Sequence, residues 1–472
     1  MKKETIKTAV LALLVTSSII LTINNWFSEK LWPDGYNFFS NLANYFSIGQ
    51  SKSYYLSKEN VSNPGKIVVN GNDVRGVYTH TSADFNDMVD TVKVFLKSGL
   101  SQKENVTKGS AEAWKAALKY RSIYFSYPVA YGTKTFSAIL DTPVNAITGT
   151  SVQEFVIVSG DNITGKPHLL VKSADEDSYT DITLSLDSSE IDALIEKYAV
   201  SSAGEYPYSF ELNFDKTGDA KEQKVTIDSQ VILSINPVTA PTVSEINYFD
   251  NIAENEELYT EFLKAFGFNA SNVRKNVNLD NSIVFAENYG TIKMHPDGLL
   301  EFKALNSSTG IETGNSAEFY DTFIDCIEFV NNVWDTACSE ENMNINLSSA
   351  KTGETDNSFT ITIDYYAEGM EVVTHIPATD SHAALNHAIE IEVTNSKITS
   401  YRQAVRGYRS NGYITTCTGV IEALDTLMAG ESIESDNITS LYLAYYADDS
   451  GECSPRWVAQ TSKKETRIIK NR

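Results

Sequence analysis

Residues 283–303, IVFAENYGTIKMHPDGLLEFK, decide the fold class. Three extended runs, 283–287, 291–295 and 299–303, read as strands separated by short reversals. In the second reversal Pro296 fixes φ, Asp297 follows, and Gly298 accepts positive φ, so the chain doubles back within three residues. Strands joined so tightly are antiparallel neighbours, because a parallel pair needs a crossover of about a dozen residues or more.

Before these strands a helix is expected over 256–266, with Leu258, Phe262, Leu263 and Phe266 on one face. Beyond the strands, Asn315 and Glu318 stand in capping-box positions before a long helix whose stripe is Phe319, Phe323, Ile327, Val330 and Trp334. Cys326 and Cys338 both fall on that helix, about 18 Å apart along its axis, too far to pair. These elements make a central α+β domain, 241–345. A C-terminal α+β domain, 346–462, follows with strands at 344–347, 359–366, 371–376, 388–394, 398–408, 438–446 and 456–459. Its one helix carries Val420, Ile421, Leu424 and Leu427 and ends at Gly430. Residues 463–472 read as a basic, solvated tail.

Upstream, an N-terminal domain is expected over 36–240. It opens with a hairpin, 66–70 and 74–78, turned at Asn70-Gly71-Asn72. Helices follow over 82–98, stopped by Gly99, and over 110–121. Extended runs at 123–127, 155–159, 168–172 and 181–186 precede a helix opened by Asp187 and Glu190. Further strands are expected at 210–214 and 224–235, and Pro237 and Pro241 bracket a linker. Regular βαβ alternation is absent, so the fold class is α+β with mainly antiparallel sheets and packed helices.

The chain has 472 residues, with 38 Lys and Arg against 62 Asp and Glu, a formal charge of −24. Such a surface repels phosphate, which argues against a nucleic-acid partner. With 42% hydrophobic and 21% charged residues, the composition suits packed domains rather than a disordered chain. Four cysteines without Cys-x-x-Cys spacing supply neither a zinc ribbon nor a thioredoxin motif.

Residues 8–28 contain no charge, and as a helix they span the roughly 30 Å hydrocarbon core of a bilayer. A single transmembrane helix is expected there, with Trp26, Phe27 and Trp32 at its outer interface. Lys2, Lys3 and Lys7 place the short tail 1–7 in the cytoplasm and the bulk of the chain outside the cell membrane. After Ile23 the small-x-small spacing of a cleaved signal peptide is missing. On the helix, Thr8, Ala12 and Thr16 fall at i+4 steps with Val15, Ile19 and Thr22 beside them. This small, hydroxylated face suits close approach of a second transmembrane helix, although its hydroxyls also fit bonds to their own helix carbonyls.

Catalytic signatures are weak. Gly160 to Lys166 follows a strand like the front of a P-loop, but Pro167 stands where the metal-binding hydroxyl belongs, so a hairpin turn is the better reading. His375, His382 and His387 lack His-Glu-x-x-His spacing and are expected on the surface, with no metal site. Asp175, Asp177 and Asp181 lack the glycine and the glutamate of a calcium loop. Asp325 and Glu328 illustrate carboxylate pairs that arise by chance among 62 acidic residues. No cofactor motif and no nucleophile elbow occurs, and no catalytic residue is assigned.

The start Lys2-Lys3-Glu4-Thr5-Ile6-Lys7 runs into one anchor ending Asn25-Trp26, and a long outer region follows. With Tyr124-Phe125-Ser126-Tyr127-Pro128, Glu287-Asn288-Tyr289-Gly290 to Pro296-Asp297-Gly298, and Tyr445-Tyr446 to Pro455-Arg456-Trp457, this pattern resembles the YycH family, with a C-terminal region similar to its sister YycI. The resemblance implies a three-domain outer part and a non-enzymatic role. It further implies a complex with an essential, cell-wall-controlling transmembrane sensor histidine kinase of a two-component system, and with a YycI-like membrane protein. The alternatives are a membrane-tethered wall-polymer hydrolase and a ligand-binding sensor.

Overall fold

The computed structural model describes residues 61–472 apart from 80, 81, 83, 148–150, 161–164, 175–177, 216–224, 315–318, 339–342, 353–357, 430–435, 448–450, 464 and 470–472. Residues 1–60, and with them the expected transmembrane span, lie outside the described residues. Among the described residues, no helix is long and apolar enough to cross a membrane.

Two sheets carry the chain, one of eight strands between Lys66 and Ser202 and one of sixteen between Val225 and Ile469. Among the described residues all strand pairs are antiparallel except two, both on the strand Asp436–Ala447. The α+β reading with mainly antiparallel sheets therefore holds.

In the first sheet, Lys66–Asn70 lies between Val74–Thr79 and Ser122–Gly132. Ser151–Val158, His168–Ser173, Tyr179–Thr183 and Val106–Lys108 extend it in turn. Side chains alternate across a strand, so one face carries Ile67, Val69, Ile123, Phe125, Phe155 and Ile157. That face packs against the helices Phe85–Leu100 and Ser189–Tyr198, whose buried residues include Met88, Val92, Phe95, Ile191 and Ile195. The opposite face carries Val68, Tyr124, Val156 and Leu170, which bury Trp114 and Leu118 of the helix Ala111–Lys119. Ser110 opens this last helix by accepting the Ala113 N–H at 3.1 Å, which satisfies one of the otherwise orphaned amides.

The second sheet contains the deciding stretch as three successive antiparallel strands, Ile283–Ala286, Gly290–Met294 and Leu299–Ala304. Lys397–Ala404 and Ile389–Thr394 continue from their inner edge, then Ser358–Ala367. The helices Glu256–Ala265 and Phe319–Cys338 cover one face. Phe323, Ile327, Val330 and Trp334 of the expected stripe are buried, and Trp334 packs on Tyr365 with ring centroids 4.9 Å apart. The Asn315 and Glu318 capping box lies outside the described residues.

Four expectations are corrected. The helix Phe85–Leu100 runs through Gly99 instead of stopping there. A Cβ on Gly99 would stand 2.7 Å from Leu169 Cδ2 and 2.9 Å from Leu184 Cδ2, so the glycine permits close packing of helix on sheet. Residues 209–212 form a 3-10 turn, not a strand. Glu211 is drawn inward there, accepting the Tyr208 N–H at 2.7 Å and pairing with the buried Arg75. The stretch bracketed by Pro237 and Pro241 is strand for most of its length, because Val238–Asn247 pairs with Arg406–Cys417 and places Pro241 beside a bulge. A bulge is where a strand tolerates a residue without an N–H. In the basic tail, Thr466–Ile469 pairs with Glu452–Thr461, and Ile469 is buried.

Polar groups join the sheets. Lys172 Nζ lies 3.2 Å from Glu154 Oε2 and 3.6 Å from Asp228 Oδ2, while Gln230 Nε2 donates to Glu154 Oε2 at 3.1 Å.

Candidate functional site

The expected docking face, Thr8, Ala12, Val15, Thr16, Ile19 and Thr22, lies outside the described residues. Of the motifs weighed for chemistry, Gly160 to Lys166 connects the adjacent antiparallel strands Ser151–Val158 and His168–Ser173, with φ +150° at Gly160 and +67° at Gly165. His168 Nδ1 lies 2.9 Å from Asp181 Oδ1, and Asp175 and Asp177 lie outside the described residues. Glu328 is exposed, whereas Asp325 is half-buried against Gly314.

The histidines diverge from expectation. His375 is exposed, but His382 is buried, its side chain 1% exposed. It meets two residues that sequence reading missed as chemistry, His295 and Asp297, both in the deciding turn. Spacing gave no local signal, because 85 residues separate Asp297 from His382. The one available signal was the sequence His295-Pro296-Asp297-Gly298, which puts an imidazole and a carboxylate on one tight reversal.

The backbone builds this turn. The Gly298 N–H donates to the His295 carbonyl at 3.0 Å, with φ +93° at the glycine. The Leu299 N–H reaches Asp297 Oδ1 at 3.3 Å, leaving Oδ2 for His382. From beneath, Asn247 Nδ2 donates to the Pro296 carbonyl at 2.7 Å and Arg406 Nη2 to the Asp297 carbonyl at 2.5 Å. Arg406 is itself held by an ion pair with Glu245. A Cβ on Gly298 would meet Asn247 Oδ1 at 3.0 Å and Arg406 Nε at 3.1 Å, so the close approach requires glycine.

A loop between Met370–Val373 and Ile389–Thr394 brings in His382. Paired backbone bonds between Ile376 and Leu385 pinch its base. Arg402 then straps it down, donating to the Ala383 carbonyl at 2.6 Å and the Ala384 carbonyl at 3.0 Å. Lys293 Nζ donates to the Ser381 carbonyl at 3.1 Å.

Within the site, His382 Nε2 lies 2.7 Å from Asp297 Oδ2, and His382 Nδ1 lies 3.1 Å from the Ala383 carbonyl oxygen. His295 Nε2 lies 3.0 Å from Glu301 Oε2, and Arg402 Nε donates to Glu301 Oε1 at 3.1 Å. The two imidazoles meet edge to face, 4.5 Å between centroids. Burial works to raise the Glu301 pKa, but the His295 hydrogen bond and the charges of His295 and Arg402 outweigh it and hold the carboxyl below its usual range. Two buried imidazoles and a half-exposed carboxylate converging this way can hold a cation or hand on a proton.

A second polar group sits nearby in the same sheet. His387 Nδ1 lies 3.1 Å from Asp364 Oδ1, and Tyr442 and Tyr366 donate to the two oxygens of Glu371 at 2.7 and 3.2 Å. Elsewhere, a shallow depression of about 290 Å³ is lined by Asn255, Glu257, Leu258, Glu261 and Thr336, with its glutamates on a solvated helix face.

No family model matches the chain, and no curated protein does. Among solved structures, YycH from Bacillus subtilis superposes with a TM-score of 0.53 at 12% identity, covering 89% of this chain and 99% of that one. An uncharacterised protein from Eubacterium rectale matches at a TM-score of 0.34 and 14% identity, over 53% of this chain and 87% of that one. The YpeB C-terminal domain of Bacillus megaterium matches at 0.25 and 8%, over 46% and 98%. The chain is therefore built on the YycH fold, as the sequence resemblance implied.

Proposed function

We propose that this protein is a non-enzymatic, membrane-anchored regulator that binds and modulates a transmembrane sensor histidine kinase controlling cell-wall metabolism, together with a YycI-like membrane protein. The observation that carries the reading is the fold shared with YycH over nearly the whole of that protein. The uncharged stretch 8–28 and the charge pattern around it support an anchor in the cell membrane, N-terminus inside and the two sheets outside.

The physical basis of regulation is differential contact. A helix lying against a kinase helix shifts its balance between two arrangements only if the contact free energy differs between them. Thr8, Ala12 and Thr16, flanked by Val15, Ile19 and Thr22, supply a face on which a second backbone can approach closely. The double substitution Ala12→Leu with Thr16→Leu fills that face while keeping the span apolar. It is expected to weaken co-isolation of the kinase from solubilised membranes and to leave the outer fold unchanged by circular dichroism. Undiminished association in the double variant would remove the helix contact from the account.

A further inference from the structure

We propose that His295, Asp297 and His382 bind a divalent transition-metal cation, with zinc the best match. Each residue offers one ligand atom, and these atoms lie within 4.8 Å of one another. Zinc takes imidazole nitrogen at about 2.0–2.1 Å and carboxylate oxygen at about 2.0–2.2 Å, so tetrahedral ligands stand about 3.3 Å apart. Closing onto the ion therefore requires side-chain shifts of about an ångström, within reach of a carboxylate on a turn and two imidazoles.

The surroundings match what a metal-binding histidine requires. Such a ring donates its second N–H to a carboxylate or a backbone carbonyl, which fixes its tautomer and aims the other nitrogen at the ion. Both kinds of partner are in place, Glu301 on His295 Nε2 and the Ala383 carbonyl on His382 Nδ1. Those bonds leave Nδ1 of His295 and Nε2 of His382 as ligand atoms, and the latter already faces Asp297. The partners are themselves fixed, because Arg402 binds both Glu301 and the Ala383 carbonyl. His295 and His382 are 2% and 1% exposed at the side chain and Asp297 is 36% exposed, so the site is dry on two sides and open on the third. Two imidazoles and one carboxylate favour zinc or a similar transition ion over calcium or magnesium, which take oxygen ligands.

The ion would pin the loop bearing His382 to the hairpin turn bearing Asp297, joining segments distant in sequence.

The test uses the full-length chain in detergent, stripped with a chelator and dialysed against micromolar zinc. About one zinc retained per chain, with a rise in melting temperature on adding zinc, is the expected result. The double variant Asp297→Asn with His382→Gln should lose at least about 100-fold in affinity and Glu301→Gln about 10- to 100-fold, whereas His375→Ala, an exposed histidine outside the cluster, should match the parent. Retention well below one zinc per chain, or equal loss in His375→Ala, overturns the proposal. Cobalt on the unsubstituted protein covers the case in which the double variant fails to fold. Intense visible bands of tetrahedral cobalt, abolished by zinc, support the site, and weak octahedral bands overturn it.

Discussion

Arg75 Nη1 and Glu211 Oε2 lie 2.9 Å apart although 136 residues separate them, and Arg75 is 1% exposed. The guanidinium also donates to Asn70 Oδ1 at 2.8 Å and to the Tyr206 carbonyl at 2.5 Å, and it stacks 4.2 Å from the centre of the Tyr208 ring. It locks the 3-10 turn onto the first hairpin. Replacing Arg75 with Met strands these acceptors and leaves Glu211 without its counter-charge, a change that costs about 3–5 kcal/mol for a buried pair. Chemical denaturation followed by circular dichroism should show that loss. A variant within about 0.5 kcal/mol of the parent would mean that the pair does not hold the turn.

Gly99 carries the second prediction. Alanine improves helix propensity by up to about 1 kcal/mol, but its Cβ would press on Leu169 and Leu184, and overpacking costs about 1–3 kcal/mol. Gly99→Ala is therefore expected to be destabilising by up to about 2 kcal/mol. A stabilised variant would show that the two leucines yield freely and that Gly99 has no packing role.

That glycine also shows where sequence reading succeeds and where it stops. The amphipathic helices and the strands around Pro296-Asp297-Gly298 were legible because their causes are local, in side-chain periodicity and turn chemistry. Gly99 looked like a helix stop, yet its reason lies on a strand 70 residues away. Residues 210–214 had a strand's apolar composition, but Arg75 pulls Glu211 into a turn. Pro241 signalled a linker until a bulge on a paired strand accommodated it. The histidine and carboxylate site was illegible for the same reason, since no spacing links the 295–297 turn to His382.

The third prediction concerns pH. Burial opposes the charged ring of His387, but its bond to Asp364 and the charges of Asp364, Glu390 and Glu371 raise its pKa. A base with a raised folded pKa gives stability that is complete below its unfolded value of 6.5 and is lost as pH rises through the folded value. Burial and the Asp364 charge raise the pKa of Glu371, against hydrogen bonds from Tyr442 and Tyr366. Its contribution is complete below its unfolded value of 4.5 and is lost as pH rises through the raised folded value. Both groups weaken the fold in the same direction. In melting curves across the range from about pH 5 to about pH 9, Glu371→Gln should lose less stability with rising pH than the parent does. Parallel curves would show that Glu371 titrates alike in the folded and unfolded chains.

The regulator reading rests on what the chain binds in its membrane. The most direct measurement is affinity isolation of the full-length protein from mildly cross-linked, solubilised membranes of its own cell, with mass spectrometry of the captured partners. A parallel isolation uses a chain whose residues 8–28 are replaced by an unrelated apolar span. A sensor histidine kinase is expected with the native chain, and much less of it with the replaced span. Capture of no kinase by the native chain would contradict the proposed function, and equal capture by both would move the contact from the membrane to the outer domains.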